Sequence, residues 1–553
     1  MPTPLAAYVP AGELAGAHNP FGRTLANRGL FHALATYGDP PAGFVIQDRV
    51  ERADLVAAIG LEGDRAAQVA VAQRGSPAAG RMTAGGALFI GDPYYDALAW
   101  ERRRAAGDAG YSLIGLVHTL APPEMRRKIA QAVAAPVQPW DAIVCTSPSV
   151  KSALGQMFDT WDAHVLDRFG GRPIPRPQTP VIPLGVDAPR LAAQAARPAA
   201  RAAMRAELGL ADDEALVLWV GRLSFFEKAY PQPMFRALEE AAQATGRRIA
   251  FAMAGWFPNG EIDRARYVEA AQAYAPSVRV SFEDGNDASR VADLWAAADI
   301  FLSLVDNIQE TFGLTPVEAM ASGLPVVVSD WDGYRFTVRD GVDGFLVPTL
   351  GGPADGLGAS LGWAHALHIE AYQSYVGGVA QHTAVDVGAA ARALAELVSS
   401  PELRRRMGAA GQARVAEAFD WPVVAAQIRT LADDLAERRR DAAPGTSANP
   451  FVVDPFVDFA AFPTASLTPQ TRLAIRPGAS MQDLVRAGNV RLDQAADYHR
   501  APFAQTVHAL GAIERGEVAT VAEVLARFPA ELHGPLQLSL LWLCKLGILE
   551  WTA

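Results

Sequence analysis

The sequence predicts an α/β protein in which two doubly wound domains face each other across a cleft, followed by a small, mainly helical C-terminal domain. Two observations support this prediction. Short apolar strands alternate with Ala-rich helical stretches from about residue 40 to residue 185, and the alternation restarts after a polar Ala/Arg stretch near 188–212. Such alternation is typical of an open parallel sheet with helices on its faces. Two such domains in tandem are the simplest arrangement that accounts for it.

The expected strands are short apolar segments bounded by polar or helical stretches. In the first domain they are GFVIQ, GGALFIGD, YSLIGLVH, AIVCTS and TPVIPLG. In the second they are ALVLWVG, RIAFAMAG, VRVSFE, DIFLSLV, LPVVVSD and GFLVPT. The tail ends with LLWLCKLGILEW, which predicts an apolar helix, a glycine stop and a short strand.

Changes in composition divide the chain into five segments. We predict a first doubly wound domain at 1–195, a second at 196–395 with an insertion at about 351–385, further helices at 396–440, a Pro/Gly/Ser/Asn-rich linker at 441–467, and a small helical or winged-helix-like domain at 468–553. The tail from 441 to 553 has eight Lys and Arg against eleven Asp and Glu, which argues against DNA binding.

Composition and charge exclude several classes of protein. Half of the 553 residues are apolar, which is enough to bury several cores. Lys and Arg total 49 against 60 Asp and Glu, and the net charge of −11 provides no general attraction for nucleic acid. The N-terminal MPTPLAAYVPAGEL does not resemble a signal peptide, and no run reaches the ~18 apolar residues of a membrane span. We therefore expect a cytoplasmic protein without a nucleic-acid partner.

Two glutamates stand at a spacing that suggests a ligand site. Seven residues separate Glu310 from Glu318, so the first carboxylate falls on the loop after a strand and the second in the first turn of the next helix. Both would face the crevice at the carboxyl edge of the sheet. There Glu318 could accept hydrogen bonds from the ribose of a nucleotide sugar and Glu310 from its sugar ring. The backbone N–H groups of 312–315 lead into a helix N-terminus, which can take negative charge.

The second glutamate also has a purely structural interpretation. Thr315-Pro316-Val317-Glu318 fits a capping box, with Thr315 as N-cap, Pro316 at the first helical position and Glu318 at the third. The pattern alone leaves both interpretations open.

Two cations lie upstream of the glutamates. The strand Leu216–Gly221 ends in Gly221-Arg222, and Lys228 follows six residues later. A glycine allows close approach to the backbone, and an Arg fork with a Lys point charge can neutralise a diphosphate.

These motifs together resemble those of GT-B retaining glycosyltransferases of the family 4 type. The resemblance rests on GRLSFFEK, ETFGLTPVE, EAMASGLPVVVSD and DGVDGFLVP, and it extends over roughly residues 15–440 through IVCTSPSVKSAL, VIPLGVD and PELRRRMGAAGQARVAEAFDW. It implies a GT-B architecture of two Rossmann-like domains, with the acceptor on the first and the donor nucleotide on the second. It also implies a final helix that crosses back after Trp421, and it leaves the C-terminal domain as an addition.

The resemblance assigns roles to individual residues. Arg222 and Lys228 would bind the donor diphosphate, Glu310 the transferred sugar and Glu318 the ribose. The whole substrate-binding set it implies is Gly22, Gly221, Arg222, Lys228, Glu310, Phe312, Gly313, Leu314 and Glu318. His118, at the end of SLIGLVH, matches a position near the sugar and completes the implied catalytic set with Glu310, Arg222 and Lys228. A lone histidine at a strand end is otherwise more often structural.

The chain departs from the family pattern in several places. Its first loop has Phe21-Gly22-Arg23 in place of paired glycines, and Ala229 follows Lys228 where glycine is usual. The insertion brings polar side chains that could line an acceptor site: His365, His368, Glu370, Tyr372, Tyr375 and His382.

Metal sites are disfavoured by the pattern. His365 and His368 lack a third ligand at a suitable spacing. Asp330-x-Asp332 after an apolar strand could present a metal-binding DxD, but a turn pair before Gly333 is the simpler interpretation. We therefore expect neither a metal nor another cofactor.

The predicted function is transfer of a hexose from a UDP- or GDP-sugar, with retention, to a saccharide, lipid-linked or protein acceptor. The alternative is a catalytically inactive protein that binds sugar nucleotides or peptides. A basic amphipathic segment, Pro123–Val133, leaves open a peripheral contact at the inner face of the membrane, although a solvated helix face is the simpler interpretation.

Overall fold

The computed structural model describes residues 3–13, 22–93, 95–170, 175–442, 445, 449–452 and 454–552. The chain forms two compact units, Met1–Ser447 and Ala448–Ala553, and the division falls inside the predicted linker 441–467. Among the helices of these described ranges, none has the length and hydropathy of a membrane-spanning segment.

The first unit begins with a parallel sheet of six strands. They are β1 (Leu5–Val9), β2 (Gly43–Ile46), β3 (Val71–Gln73), β4 (Ala87–Ile90), β5 (Ser112–Leu116) and β6 (Ala142–Val144), in the spatial order β3-β2-β1-β4-β5-β6. The helices that accompany them are α1 (Gly22–Thr36), α2 (Arg52–Ala58), α3 (Gly63–Gln68), α4 (Pro77–Thr83), α5 (Asp96–Ala106), α6 (Pro123–Ala134) and α7 (Pro148–Phe169). β1, β2, β4 and β5 are buried along their whole length, as expected for strands covered on both faces.

A second parallel sheet of six strands follows after α8 (Ala188–Ala195) and α9 (Pro198–Glu207). Its strands are β7 (Ala215–Val220), β8 (Ile249–Gly255), β9 (Arg279–Asp284), β10 (Ile300–Ser303), β11 (Val326–Ser329) and β12 (Gly344–Val347), in the order β12-β11-β10-β7-β8-β9. Its helices are α10 (Gln232–Thr245), α11 (Glu261–Tyr274), α12 (Ala288–Ala297), α13 (Leu314–Ala321) and α14 (Tyr334–Thr337). The predicted pair of doubly wound Rossmann-like domains is confirmed.

The insertion forms a helical hairpin held at its base by a short strand pair. Its elements are β13 (Thr349–Leu350), α15 (Ala359–Ala366), α16 (Tyr372–Gln381) and β14 (Ala384–Val385), the last antiparallel to β13. Then come α17 (Val387–Ser399), α18 (Pro401–Ala418) and α19 (Trp421–Arg439). α19 packs on the first domain, where Arg439 Nη1 donates to Gly86 O at 3.0 Å and to Ser112 Oγ at 2.5 Å.

The second unit is mainly helical with one antiparallel strand pair. Its elements are α20 (Pro455–Asp458), β15 (Arg472–Ile475), α21 (Met481–Asn489), α22 (Phe503–Glu514), α23 (Val521–Leu525), α24 (His533–Lys545) and β16 (Leu549–Thr552), and β15 pairs with β16. The predicted apolar helix, glycine stop and short strand are α24, Gly547 and β16.

One sequence-based expectation for the first domain was wrong. The segment TPVIPLG is not a strand of the sheet; Val181 forms only an isolated bridge to Cys145, since the two prolines of the segment cannot donate to a ladder. On α6 the apolar side chains of Met125 and Ile129 are buried in the core, 1% and 2% exposed. Arg126 and Arg127 remain exposed, as on an ordinary solvated helix face.

A charged pair lies at the centre of the first domain. Arg102 Nη1 lies 2.5 Å from Asp141 Oδ1, and both side chains are fully buried. Asp141 also accepts from the Leu113 and Gln138 backbone N–H groups, each at 2.8 Å, and Arg102 donates to Tyr111 O at 2.9 Å. The pair thus ties α5 to β5 and to the segment that leads into β6.

Candidate functional site

The candidate site lies where the carboxyl ends of β7 and β10 meet the first domain. β10 ends at Ser303, and the loop that follows carries Glu310, whose Oε2 lies 3.0 Å from Lys228 Nζ. Burial raises the pKa of Glu310, but the Lys228 charge and hydrogen bonds from Lys228 and from backbone N–H groups outweigh burial and lower the pKa overall. Glu310 is therefore a carboxylate at neutral pH.

The second cation of the site is also paired with a carboxylate. Arg222 follows β7, and its Nη1 lies 2.5 Å from Glu227 Oε2, with both side chains at most 12% exposed. Gly221 between strand and arginine has φ +149°, a conformation that favours glycine. The Gly221 carbonyl oxygen lies so close to Gly255 that a Cβ added to Gly255 would be 1.9 Å from that oxygen.

Helix α13 begins two residues earlier than the capping-box interpretation requires. Its N-cap is Gly313, at φ +89°, and no side chain caps it. A Cβ at Gly313 would lie 1.9 Å from the Tyr334 ring, so only glycine fits this start. Thr315 lies inside the helix, and the alternative in which Glu318 completes a capping box was wrong.

This helix start leaves the Glu318 carboxylate available to accept hydrogen bonds. Within the described ranges, no side chain forms a hydrogen bond or ion pair with it, and burial raises its pKa while the Arg190 charge opposes the shift. Leu314 is the first residue of the helix, and Phe312 packs instead in the core at 2% exposed, 6.0 Å from the Phe419 ring.

His118 is held as a neutral imidazole. Its Nε2 lies 2.8 Å from Asn27 Oδ1, and the Asn27 amide group donates to Glu13 Oε1 at 2.8 Å and to Gly91 O at 3.0 Å. Because Asn27 Nδ2 is the donor in both contacts, its oxygen accepts from the histidine ring. Burial and the nearby Arg23 charge lower the pKa of His118 to about 3, with the Gly91 carbonyl opposing. His118 can therefore offer a polar contact but not a positive charge.

Hydrogen bonds join the two domains around Glu310. Thr311 Oγ1 donates to His118 O at 2.7 Å, and Thr146 Oγ1 donates to Thr311 O at 3.0 Å. Ser147 Oγ donates to Asp332 Oδ1 at 2.7 Å. Beside these contacts lies a cavity of about 660 Å³ whose lining includes Glu310 and Asp332. His118 and the Glu310 loop are thus brought together, as the implied catalytic set requires.

Asp332, which the sequence analysis interpreted as part of a turn pair, lies at this cleft and lines the cavity. It has φ +38°, unusual for a residue other than glycine, and burial raises its pKa to about 7 while the Ser147 hydrogen bond lowers it. Its signals in the sequence were the Asp330-x-Asp332 pattern and its place after β11, at the same sheet edge as Glu310. Asp330 pairs with Arg335, with Oδ1 and Nε 3.1 Å apart, and it lines the same cavity as Asp332. In the described part of the chain, no cluster of three His, Cys, Asp or Glu could hold a metal ion.

The predicted phosphate-binding loop at Gly22 is only partly described by the structure. α1 begins at Gly22, which has open space around its Cα, but residues 14–21 that precede it, including Phe21, lie outside the described residues. The close approach of Gly22 to phosphate therefore stays a prediction.

The insertion places only some of its polar side chains at the cleft. His365 and Tyr375 line the cavity and stack with ring centroids 5.3 Å apart, and the Tyr372 hydroxyl donates to Gln309. The other four are not among the residues that line this cavity: His368, Glu370, Tyr372 and His382.

Part of the chain is similar to proteins of a known family. Residues 200–350 match the family described as glycosyl transferases group 1. The D-inositol 3-phosphate glycosyltransferase of Nocardia farcinica is 37% identical over 191 residues, which are 34% of this chain and 40% of that protein. The protein of the same name from Streptomyces griseus is 30% identical over 252 residues, which are 44% of this chain and 44% of that protein. The chain spans less than half the length of these two curated relatives.

Two solved structures are similar to most of this chain at low sequence identity. Sucrose-phosphate synthase from Thermosynechococcus elongatus has a TM-score of 0.49 at 20% identity, covering 79% of this chain and all of that one. Anabaena HepE in complex with UDP and glucose has a TM-score of 0.48 at 17% identity, covering 78% of this chain and all of HepE. The range that matches this family, 200–350, includes Arg222, Lys228, Glu310 and Glu318.

Proposed function

We propose that the protein transfers a hexose from a nucleoside diphosphate sugar, UDP- or GDP-linked, to an acceptor hydroxyl with retention at the anomeric carbon. The observation that carries this proposal is the convergence of Arg222, Lys228 and Glu310 at one sheet edge, beside the unpaired Glu318 carboxylate. Cations for a diphosphate and carboxylates for sugar and ribose hydroxyls are the groups that such a donor needs. The acceptor is a saccharide or polyol, free or lipid-linked, or a protein; the named relatives favour a polyol phosphate.

The chemistry follows from the charges. As the bond from the anomeric carbon to the phosphate oxygen breaks, negative charge builds on the diphosphate, where Arg222 and Lys228 stabilise it. The acceptor oxygen forms the new bond on the same face, and its proton passes to the departing phosphate. Neutral His118 contributes a polar contact near the sugar. The reaction as written needs no metal ion or other cofactor, and the protein acts in the cytoplasm, at the inner face of the membrane if its acceptor is lipid-linked.

A donor screen tests this function directly. The protein is heated with UDP, GDP, ADP and their common sugars, and a ligand present at about 100 times its Kd should stabilise it by about 2.7 kcal/mol. The donor identified is then incubated with candidate acceptors, and product is measured. A folded protein that responds to none of these nucleotides would contradict the proposal. Binding without transfer or donor hydrolysis would favour the alternative, an inactive sugar-nucleotide-binding protein.

The two glutamates should respond differently to substitution by glutamine. In Glu318→Gln, a carboxylate that accepts from two vicinal hydroxyls becomes an amide with one acceptor oxygen, so nucleoside diphosphate affinity should fall by about 1–3 kcal/mol. Its melting temperature without ligand should hardly change, because no cap or ion pair is lost. In Glu310→Gln the loss should fall mainly on kcat, since the partner is the sugar whose geometry changes during transfer.

Calorimetry with UDP or GDP, beside turnover, measures both effects. Glu240→Gln, on the exposed side of α10, is the matched control and should leave both quantities unchanged. If Glu318→Gln binds nucleotide like the wild type and Glu310→Gln turns over normally, the two glutamates do not form the donor site.

A further inference from the structure

The second helix of the insertion, α16, lies directly on the loop that carries Arg222 and Lys228. Gln373 Nε2 donates to Glu227 Oε1 at 3.3 Å, so the helix touches the carboxylate that pairs with Arg222. Gly377 packs against Phe226, where a Cβ on the glycine would lie 2.9 Å from the phenylalanine Cβ. The insertion is therefore part of the wall of the candidate site.

The first residue of this helix, Tyr372, reaches into the site. Its hydroxyl donates to Gln309 Oε1 at 3.0 Å. Burial raises its pKa, the Glu227 charge raises it further, and a hydrogen bond with the Thr119 side chain opposes the shift, so the phenol stays neutral. The three residues around the hydroxyl, Gln309, Thr119 and Glu227, are each next in sequence to a member of the implied catalytic set: Glu310, His118 and Lys228.

We propose that the insertion supplies a substrate contact to this site: the Tyr372 hydroxyl hydrogen-bonds a ring hydroxyl of the transferred sugar and so helps to select the donor. The inference rests on the proposed function. The Tyr372 hydroxyl donates to Gln309, the neighbour of Glu310, and it lies close enough to Glu227, the partner of Arg222, to feel its charge. A donor sugar held by Glu310 would lie within reach of this hydroxyl. A phenol both donates and accepts, so a sugar hydroxyl can replace Gln309 as its partner or bridge the two.

This contact would belong to this chain and not to the general family pattern, because the insertion that delivers it interrupts that pattern. A site that pairs a polar group with a substrate hydroxyl discriminates against an analogue that lacks the hydroxyl, since the protein group is then left unpaired. The insertion would thereby make sugar selection depend on one side chain of α16.

The test compares Tyr372→Phe with the wild type, using the sugar nucleotide found in the donor screen and its singly deoxygenated analogues. We expect kcat/KM for the intact donor to fall about tenfold in the variant. One deoxy analogue should be about tenfold poorer than the intact donor for the wild type, yet no poorer than the intact donor for Tyr372→Phe. Affinity for the nucleoside diphosphate without sugar should be unchanged. Ser374→Ala, an exposed position on the same helix, is the control and should behave like the wild type.

The outcomes distinguish a failure of the Tyr372 inference from a failure of the proposed function. Unchanged kinetics in Tyr372→Phe, or the same discrimination against every analogue in both proteins, overturns this inference and leaves the proposed function standing. Weaker binding of the nucleoside diphosphate alone also overturns it, because Tyr372 would then act by shaping the Arg222 loop. A wild type that transfers no sugar contradicts the proposed function itself.

Discussion

Lys228→Ala should lower kcat/KM by about 10² or more, because a charge-assisted contact that strengthens as the diphosphate departs is lost. The structure adds a second reason. Lys228 is the ion-pair partner of Glu310, a carboxylate that is 13% exposed, and the variant leaves this carboxylate in place without its cation. Steady-state kinetics with the donor from the screen measures the effect.

Two variants sharpen this test. Lys151→Ala removes an exposed lysine from α7 and should leave kcat/KM unchanged. The double variant Lys228→Ala/Glu310→Gln should lose less than the sum of the two single losses in free energy, because the residues act as a pair. Wild-type kinetics in a folded Lys228→Ala protein would show that Lys228 does not stabilise the departing diphosphate.

Asp141→Ala should lower the free energy of unfolding of the first unit by about 3–5 kcal/mol, since it leaves the guanidinium of Arg102 buried without its counter-charge. Both side chains are fully buried, and Asp141 also accepts two backbone N–H groups that the variant leaves without that acceptor. Urea unfolding followed by tryptophan fluorescence and by circular dichroism measures the change.

The double variant Arg102→Met/Asp141→Leu should recover much of this loss, because apolar side chains of similar volume can replace a buried pair. Asp213→Ala is the matched control: its partner is Arg248, both side chains are at least 60% exposed, and its effect should stay within about 0.5 kcal/mol. A stability of Asp141→Ala within about 1 kcal/mol of the wild type would show that the buried pair is not needed.

The second domain was more predictable than the first. All six of its apolar segments became strands of one sheet, and β7, β8, β10 and β11 are buried along most or all of their length, as is typical of strands covered on both faces. In the first domain, β1 and β3 were not anticipated. LAAYV becomes a strand through its place between β2 and β4, and VAQ is a three-residue edge strand. Such short segments carry too little pattern to be recognised locally.

Local pattern was enough to predict two parallel α/β domains, the loop position of Glu310 and the nearby cations, because strand burial and the edge at which strands end are encoded within a few residues. The tertiary structure decided which groups are partners. Lys228 pairs with Glu310, Arg222 with Glu227, and His118 with Asn27, which is 91 residues away in sequence. It also placed Tyr372 of the insertion beside the site. Side-chain contacts between loops depend on how whole elements pack, and packing across such separations leaves no periodic signal in the sequence.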